Sequence, residues 1–160
     1  MPDEVDILLV EDSRVDAQLI EEALKDASFL YRLEVVTDGE AAIQHLRARE
    51  RRPDLVLLDL NLPKVSGIEV LRVIKQDPHL RLTPVIILTN STAPDDVAAC
   101  YTAHANAYIR KPVGFDGLTA VLHIAGQFWF KTAVLPGNYA AVQKMTLPPV
   151  SKKKPTRKKK

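Results

Sequence analysis

Residues 53–67 read PDLVLLDLNLPKVSG. Within them Leu55–Leu58 is an unbroken apolar run of strand length, the pattern of a strand covered on both faces. Asp59 follows at once, a carboxylate that no core would ask for. Beyond a turn at Pro63, Ile68, Leu71 and Ile74 recur at helical spacing until Pro78 closes the segment. The stretch reads as a buried strand, a loop bearing an acid, and an amphipathic helix.

The same alternation extends in both directions. Four further strands are expected at Val5–Val10, Leu33–Thr37, Val85–Thr89 and Ala107–Ile109. The first and fourth runs (Val5–Val10 and Val85–Thr89) are almost wholly apolar. Leu33–Thr37 and the region of Tyr108 are mixed, as strands nearer a sheet edge should be. Between the strands lie helical patterns. Val15, Leu19, Ile20, Ala23 and Leu24 form the first, with Ser13 as its cap. Ala42, Ile43 and Leu46 mark the second, from about Glu40 to Arg49, after the turn signal Asp38-Gly39. Val97, Tyr101 and Ala105 mark the fourth, with Ser91 or Thr92 as expected caps, Pro94 in the first turn, and Asp95 and Asp96 near the positive end of the helix dipole. Leu118, Val121, Leu122 and Ala125 mark the fifth. Strict β/α alternation implies an α/β fold, a doubly wound parallel sheet with helices on both faces.

Composition narrows the class. A chain of 160 residues, 46% hydrophobic and 26% charged, suits one domain with some surplus. No apolar run approaches the roughly 18 residues of a spanning helix, so membrane insertion is not expected. The opening MPDEVDILLVED places acids where an export signal needs positive charge. Cys100 is the single cysteine, which excludes an internal disulfide and fits a reducing, cytoplasmic setting. The net charge of +2 is uneven. Residues 151–160, SKKKPTRKKK, hold seven of the 22 Lys/Arg and leave a body of 15 basic and 20 acidic residues. The body is therefore not a general nucleic-acid surface. The tail is expected to be disordered, with at most weak, salt-dependent contact to nucleic acid.

In doubly wound sheets the site lies beyond the carboxyl ends of the strands, where strand order reverses. That rule selects Glu11 and Asp12 after the first strand, Asp59 after the third, Thr89 at the end of the fourth and Lys111 after the fifth. Three carboxylates at one edge repel unless a cation compensates. Oxygen donors without His or Cys favour a hard divalent ion, most naturally Mg2+. Mg2+ held by few carboxylates keeps room for phosphate oxygens. Thr89 offers a hydroxyl and Lys111 a positive charge to the same group, and Asp59, at the centre, is the natural nucleophile. Taken alone, Asp59 reads better as the cap of a turn before Pro63, and Glu11-Asp12 reads also as helix-start acids beside the Ser13 cap. Asp16 reads as solvated or partner-facing. The four histidines share no ligand spacing, and Cys100 reads as a small hydrophobe.

Four segments in this order and spacing, VDILLVEDSRVD (5–16), PDLVLLDLNLPKVSG (53–67), VIILTNS (85–91) and AYIRKP (107–112), resemble the receiver domain of two-component response regulators. The resemblance spans about residues 5–127. It implies a flavodoxin-like sheet of order 2-1-3-4-5 and a phosphoacceptor role for Asp59. It implies Mg2+ held by Asp12, Asp59 and the backbone carbonyl of Asn61, with Glu11 acting through water. Thr89 and Lys111 would contact the phosphoryl oxygens. Tyr108 falls on the family's aromatic switch position, although a plain half-buried strand aromatic fits it as well. Lys111-Pro112 would be a cis bond. Asn90 departs from the smaller residue that many receivers carry after the threonine, which narrows access to the phosphoryl group.

The organisation expected is a receiver over 1–127, an aromatic extension over 128–140 and a basic tail over 141–160. About 30 residues after the fifth helix are too few for a DNA-binding domain, so output by contact is expected. Residues 128–136, FWFKTAVLP, together with DPHL (77–80) and LTNS (88–91), resemble the small response regulators paired with bacterial and cyanobacterial phytochromes. In that subgroup the extension supports a homodimer, which assigns Phe128, Trp129, Phe130, Leu135 and Pro136 to a dimer arm. The alternative is that Phe128 and Trp129 close the fifth helix over the core. The resemblance implies a sensor histidine kinase of phytochrome type as partner and no enzymatic turnover. Two rivals stand beside it. One is a pseudo-receiver scaffold. The other is an Asp-nucleophile phosphatase, disfavoured because Asn61 occupies the place where such enzymes need a general acid.

Overall fold

The computed structural model describes residues 4–26 and 29–137. The expected basic tail, 141–160, and the last three residues of the extension lie outside the described residues.

Five strands form one parallel sheet in the order β2-β1-β3-β4-β5. They are β1 (Val5–Val10), β2 (Tyr31–Val36), β3 (Leu55–Leu58), β4 (Val85–Thr89) and β5 (Ala107–Arg110). β3 and β4 are buried at every position and β1 at all but Val5, whereas β2 and β5 are mixed. The burial pattern follows the strand order, because β2 and β5 are the edges. Five helices alternate with the strands: α1 (Arg14–Lys25), α2 (Gly39–Ala48), α3 (Gly67–Gln76), α4 (Pro94–Thr102) and α5 (Phe115–Gly126).

Side-chain alternation along the strands builds two cores. Leu8, Val10, Val56, Leu58, Val85 and Ile87 pack on one face with Ala42, Leu46, Val70, Leu71 and Ile74. Ile7, Leu9, Leu55, Leu57, Ile86 and Leu88 pack on the other with Ile20, Leu24, Leu118 and Leu122. Each fully buried aliphatic contributes about 1.5–3 kcal/mol, so the sheet is held from both sides and its carboxyl edge is rigid.

Polar caps start three of the helices. Ser13, Asp38 and Ser66 accept from the backbone N–H groups of Asp16, Ala41 and Glu69. The cap expected at Ser91 or Thr92 is displaced. α4 starts after Ala93 without a side-chain cap, and Pro94 presets its first turn. Ser91 instead folds its hydroxyl between the Ala93 N–H and Asp96.

Beyond Gly126 the chain does not leave the helix. It widens into π-type turns over Gln127–Thr132, closed by Ala133 N–H to the Phe128 carbonyl at 2.6 Å. The segment then reaches the amino-terminal end of the sheet, where an Arg52 guanidinium N–H donates to the Gly137 carbonyl at 3.0 Å. No helix among the described residues is long and apolar enough to cross a membrane.

Candidate functional site

The strand ladder itself positions the site. The N–H of Glu11 donates to the Val36 carbonyl (3.0 Å), that of Asp59 to the Val10 carbonyl (3.1 Å), and that of Lys111 to the Thr89 carbonyl (2.8 Å). Each side chain therefore stands one step past its strand, on backbone that the sheet has already fixed. Strand order reverses between β1 and β3, so Glu11-Asp12 and Asp59 emerge side by side.

The carboxylates of Glu11, Asp12 and Asp59 converge, with one oxygen of each within 4.8 Å of the others. Glu11 and Asp59 are buried and Asp12 is exposed. The Lys111 ammonium enters from the edge strand and bonds Glu11 Oε2 at 2.5 Å, Asp16 Oδ2 at 2.9 Å and Asp59 Oδ2 at 3.1 Å. Asn61 N–H donates to Asp59 Oδ1 (3.3 Å) and Ser13 N–H to Glu11 Oε1 (3.1 Å). Thr89 is fully buried at the end of β4, its hydroxyl accepting from Ser91 N–H at 3.4 Å.

The Lys111 ammonium meets three carboxylates, those of Glu11, Asp16 and Asp59, and Asp12 stands beside the cluster. Burial above all raises the Glu11 carboxyl, the Lys111 bond opposes the rise and the Asp59 charge adds to it, leaving the group at about 7. Burial by itself would lower Lys111, yet its bonds to Glu11 and Asp16 and the charges of Asp59 and Glu11 hold its ammonium above the ordinary lysine range. An all-oxygen, charge-deficient cluster is the donor set of a hard divalent cation.

A model of the response regulator receiver domain matches residues 7–123. The chain belongs to the receiver-domain family. Response regulator Rcp1 of Synechocystis sp. is 43% identical over 135 residues, covering 81% of this chain and 92% of that protein. The phosphorylated cyanobacterial phytochrome response regulator RcpA superposes with a TM-score of 0.81 at 41% identity, over 84% of this chain and 100% of that one. The Mn(2+)-bound form of response regulator Rcp1 gives 0.78 at 42%, over 83% and 99%.

The receiver brings together all the acids that the sequence selected, and Lys111 with them. Two expectations change. Asp16, read as solvated, is drawn into the site through Lys111. Its place in the first turn of α1 puts it near the site, but no sequence pattern shows that Lys111 reaches it. The Lys111-Pro112 bond is trans, since no cis peptide bond occurs among the described residues. Trans is the lower-energy form of an X-Pro bond by about 0.5–1 kcal/mol, and with it Lys111 already reaches its three acceptors.

Tyr108 is half-buried against the β3/β4 core, and its hydroxyl donates to the Ser91 carbonyl at 3.0 Å. In the extension, Trp129 and Phe130 pack on the α1/α5 core. Phe130 lies 4.4 Å from Phe29 between ring centroids, and Phe128 is 52% exposed. Trp129 and Phe130 thus pack against the core of their own chain, whereas Phe128 faces outward.

Proposed function

We propose that this receiver accepts a phosphoryl group on Asp59 from the phosphohistidine of a sensor kinase of phytochrome type. The observation that carries the reading is the convergence of Glu11, Asp12 and Asp59, with the Lys111 ammonium on Glu11 and Asp59. An Asp59 oxygen forms the new P–O bond as the P–N bond to the donor imidazole breaks, and the freed imidazole nitrogen takes up a proton. The chemistry is positioning plus charge stabilisation. Lys111 supplies positive charge to the phosphoryl oxygens, and the buried Thr89 hydroxyl lies at the neighbouring strand end to bond one of them. Asp12, Asp59 and the Asn61 carbonyl would hold Mg2+, with Glu11 acting through water. Bound there, Mg2+ would neutralise the charge that the transferred group brings.

The resulting acyl phosphate adds about −1.5 to −2 charges. Thr89 and the Asn90–Pro94 loop respond, and the Tyr108 ring turns with them, so that the surface of α4, β5 and α5 changes for a partner. The exposed Phe128 supports a homodimer built on the extension, to which Leu135 and Pro136 also belong. Likeness to RcpA and Rcp1 supports the phytochrome-type donor.

Phosphotransfer profiling tests the reading. Autophosphorylated histidine kinases, phytochrome-type and others, are mixed with the full chain and Mg2+. Fast transfer from the phytochrome-type kinase is expected. Absence of transfer from every kinase contradicts the reading, and faster transfer from a non-phytochrome kinase overturns the choice of partner.

A further inference from the structure

Tyr108 is held from two sides. Its ring hydroxyl donates to the Ser91 carbonyl at 3.0 Å, in the lead-in to α4, and its main-chain N–H donates to the phenol oxygen of Tyr101 at 3.2 Å, in the last turn of α4. β5 is an edge strand, so an N–H there that does not bond β4 must find another acceptor or water. Tyr101 supplies that acceptor from a half-exposed position on the surface of α4. At the other end of α4, the Ser91 hydroxyl bonds Asp96, and Ser91 N–H donates to the Thr89 hydroxyl. A continuous chain of bonds therefore runs from Thr89 through Ser91 to Tyr108, and from Tyr108 to Tyr101.

We propose that Tyr101 is a positioning residue for the switch, its hydroxyl latching the carboxyl end of α4 to the backbone of β5 at Tyr108. The carboxyl end of α4 is joined to β5 through residues 103–106, where Ala105 N–H donates to the Cys100 carbonyl at 3.0 Å, and the Tyr101 hydroxyl adds a direct side-chain tie from the helix to the Tyr108 backbone. With it, movement of Thr89 and Ser91 is resisted at the far end of the same helix. The latch sets how far the two conformations of the α4–β5 surface are apart in free energy. This inference rests on the phosphorylation reading above.

The test is Tyr101→Phe, which keeps the ring and removes the acceptor. Beryllofluoride with Mg2+ serves as the phosphoryl mimic on the full chain, read by the amide NMR signals of α4 and β5. One neutral hydrogen bond corresponds to about a fivefold shift in a two-state equilibrium. The expected result is a change of about that size in apparent beryllofluoride affinity, together with faster hydrogen exchange at the Tyr108 amide. The direction of the affinity change identifies the conformation that carries the bond. A wild-type response with identical Tyr101→Phe affinity overturns the latch. A wild type that ignores beryllofluoride overturns the phosphorylation reading instead. Tyr101→Leu, which removes the ring as well, separates packing from bonding: if Tyr101→Phe behaves as the wild type and only Tyr101→Leu departs from it, the packing of the ring matters and the latch fails.

Discussion

Glu11 is a carboxylate buried at the carboxyl edge of the sheet. It is 1% exposed and shares its site with Asp12 and Asp59. Its carboxyl sits at about 7 in the folded chain, against an ordinary value near 4.5. The folded state therefore binds the extra proton between those two values. Stability from this group is highest below about pH 4.5 and falls as pH rises through 7. Thermal melts in a chelator should show the wild type losing ground to Glu11→Gln between pH 5 and 8, and Mg2+ should reduce that loss; parallel curves would contradict the charge-deficit account. Lys111 is the counterpart. Lys111→Met leaves buried carboxylates without a cation, which costs about 3–5 kcal/mol in urea unfolding without Mg2+; a loss under 1 kcal/mol would show that Lys111 does not balance the cluster. Both residues were legible in the sequence, because their places depend only on standing one step beyond a strand. Asp16 was not. Its partnership depends on how far a lysine of β5 reaches across the sheet edge to α1, and no periodicity carries that information.

At the scale of elements, the loop that carries Asp59 is gripped by the helices around it. A Cβ at Gly67 would stand 2.0 Å from the Asp59 carbonyl oxygen and 2.6 Å from the Leu60 Cα, both backbone atoms that cannot step aside. The amino terminus of α3 thus approaches the phosphoacceptor loop as closely as only glycine permits. Gly67→Ala should cost at least about 1–3 kcal/mol by overpacking and slow labelling of Asp59, measured by urea unfolding and by intact-mass kinetics. Unchanged labelling would show that the loop position does not depend on this contact. The ends of elements were read less well than their cores. Ser91 and Thr92 look like helix caps, yet Ser91 spends its hydroxyl on Asp96 and the Ala93 N–H while Pro94 starts the helix. The wide turns over Gln127–Thr132 have no signature in the 3.6-residue pattern, since they arise where Trp129 and Phe130 turn back toward the core and Phe130 meets Phe29.

Over the whole molecule, two buried layers clamp a sheet whose carboxyl edge carries the chemistry, while the extension returns to the opposite edge. The parallel sheet, the helices on both its faces and the edge character of two strands followed from alternation and apolar runs, because each depends on burial alone, whereas the strand order came with the receiver resemblance. The outward face of the extension did not, since three adjacent aromatics cannot be sorted into buried and exposed without the helix geometry beneath them. Phe128→Glu places a charge on an exposed side chain and should leave folding intact. If the extension builds a homodimer, light scattering will show the wild type as a dimer and the variant as a monomer; a monomeric wild type would contradict the arm.

The central claim concerns a single carboxylate. Intact-mass spectrometry of the full chain with acetyl phosphate and Mg2+ measures it directly. The account predicts one added phosphoryl group on the wild type, lost in chelator and absent from Asp59→Asn. Equal labelling of Asp59→Asn and wild type would place the acceptor elsewhere and contradict it.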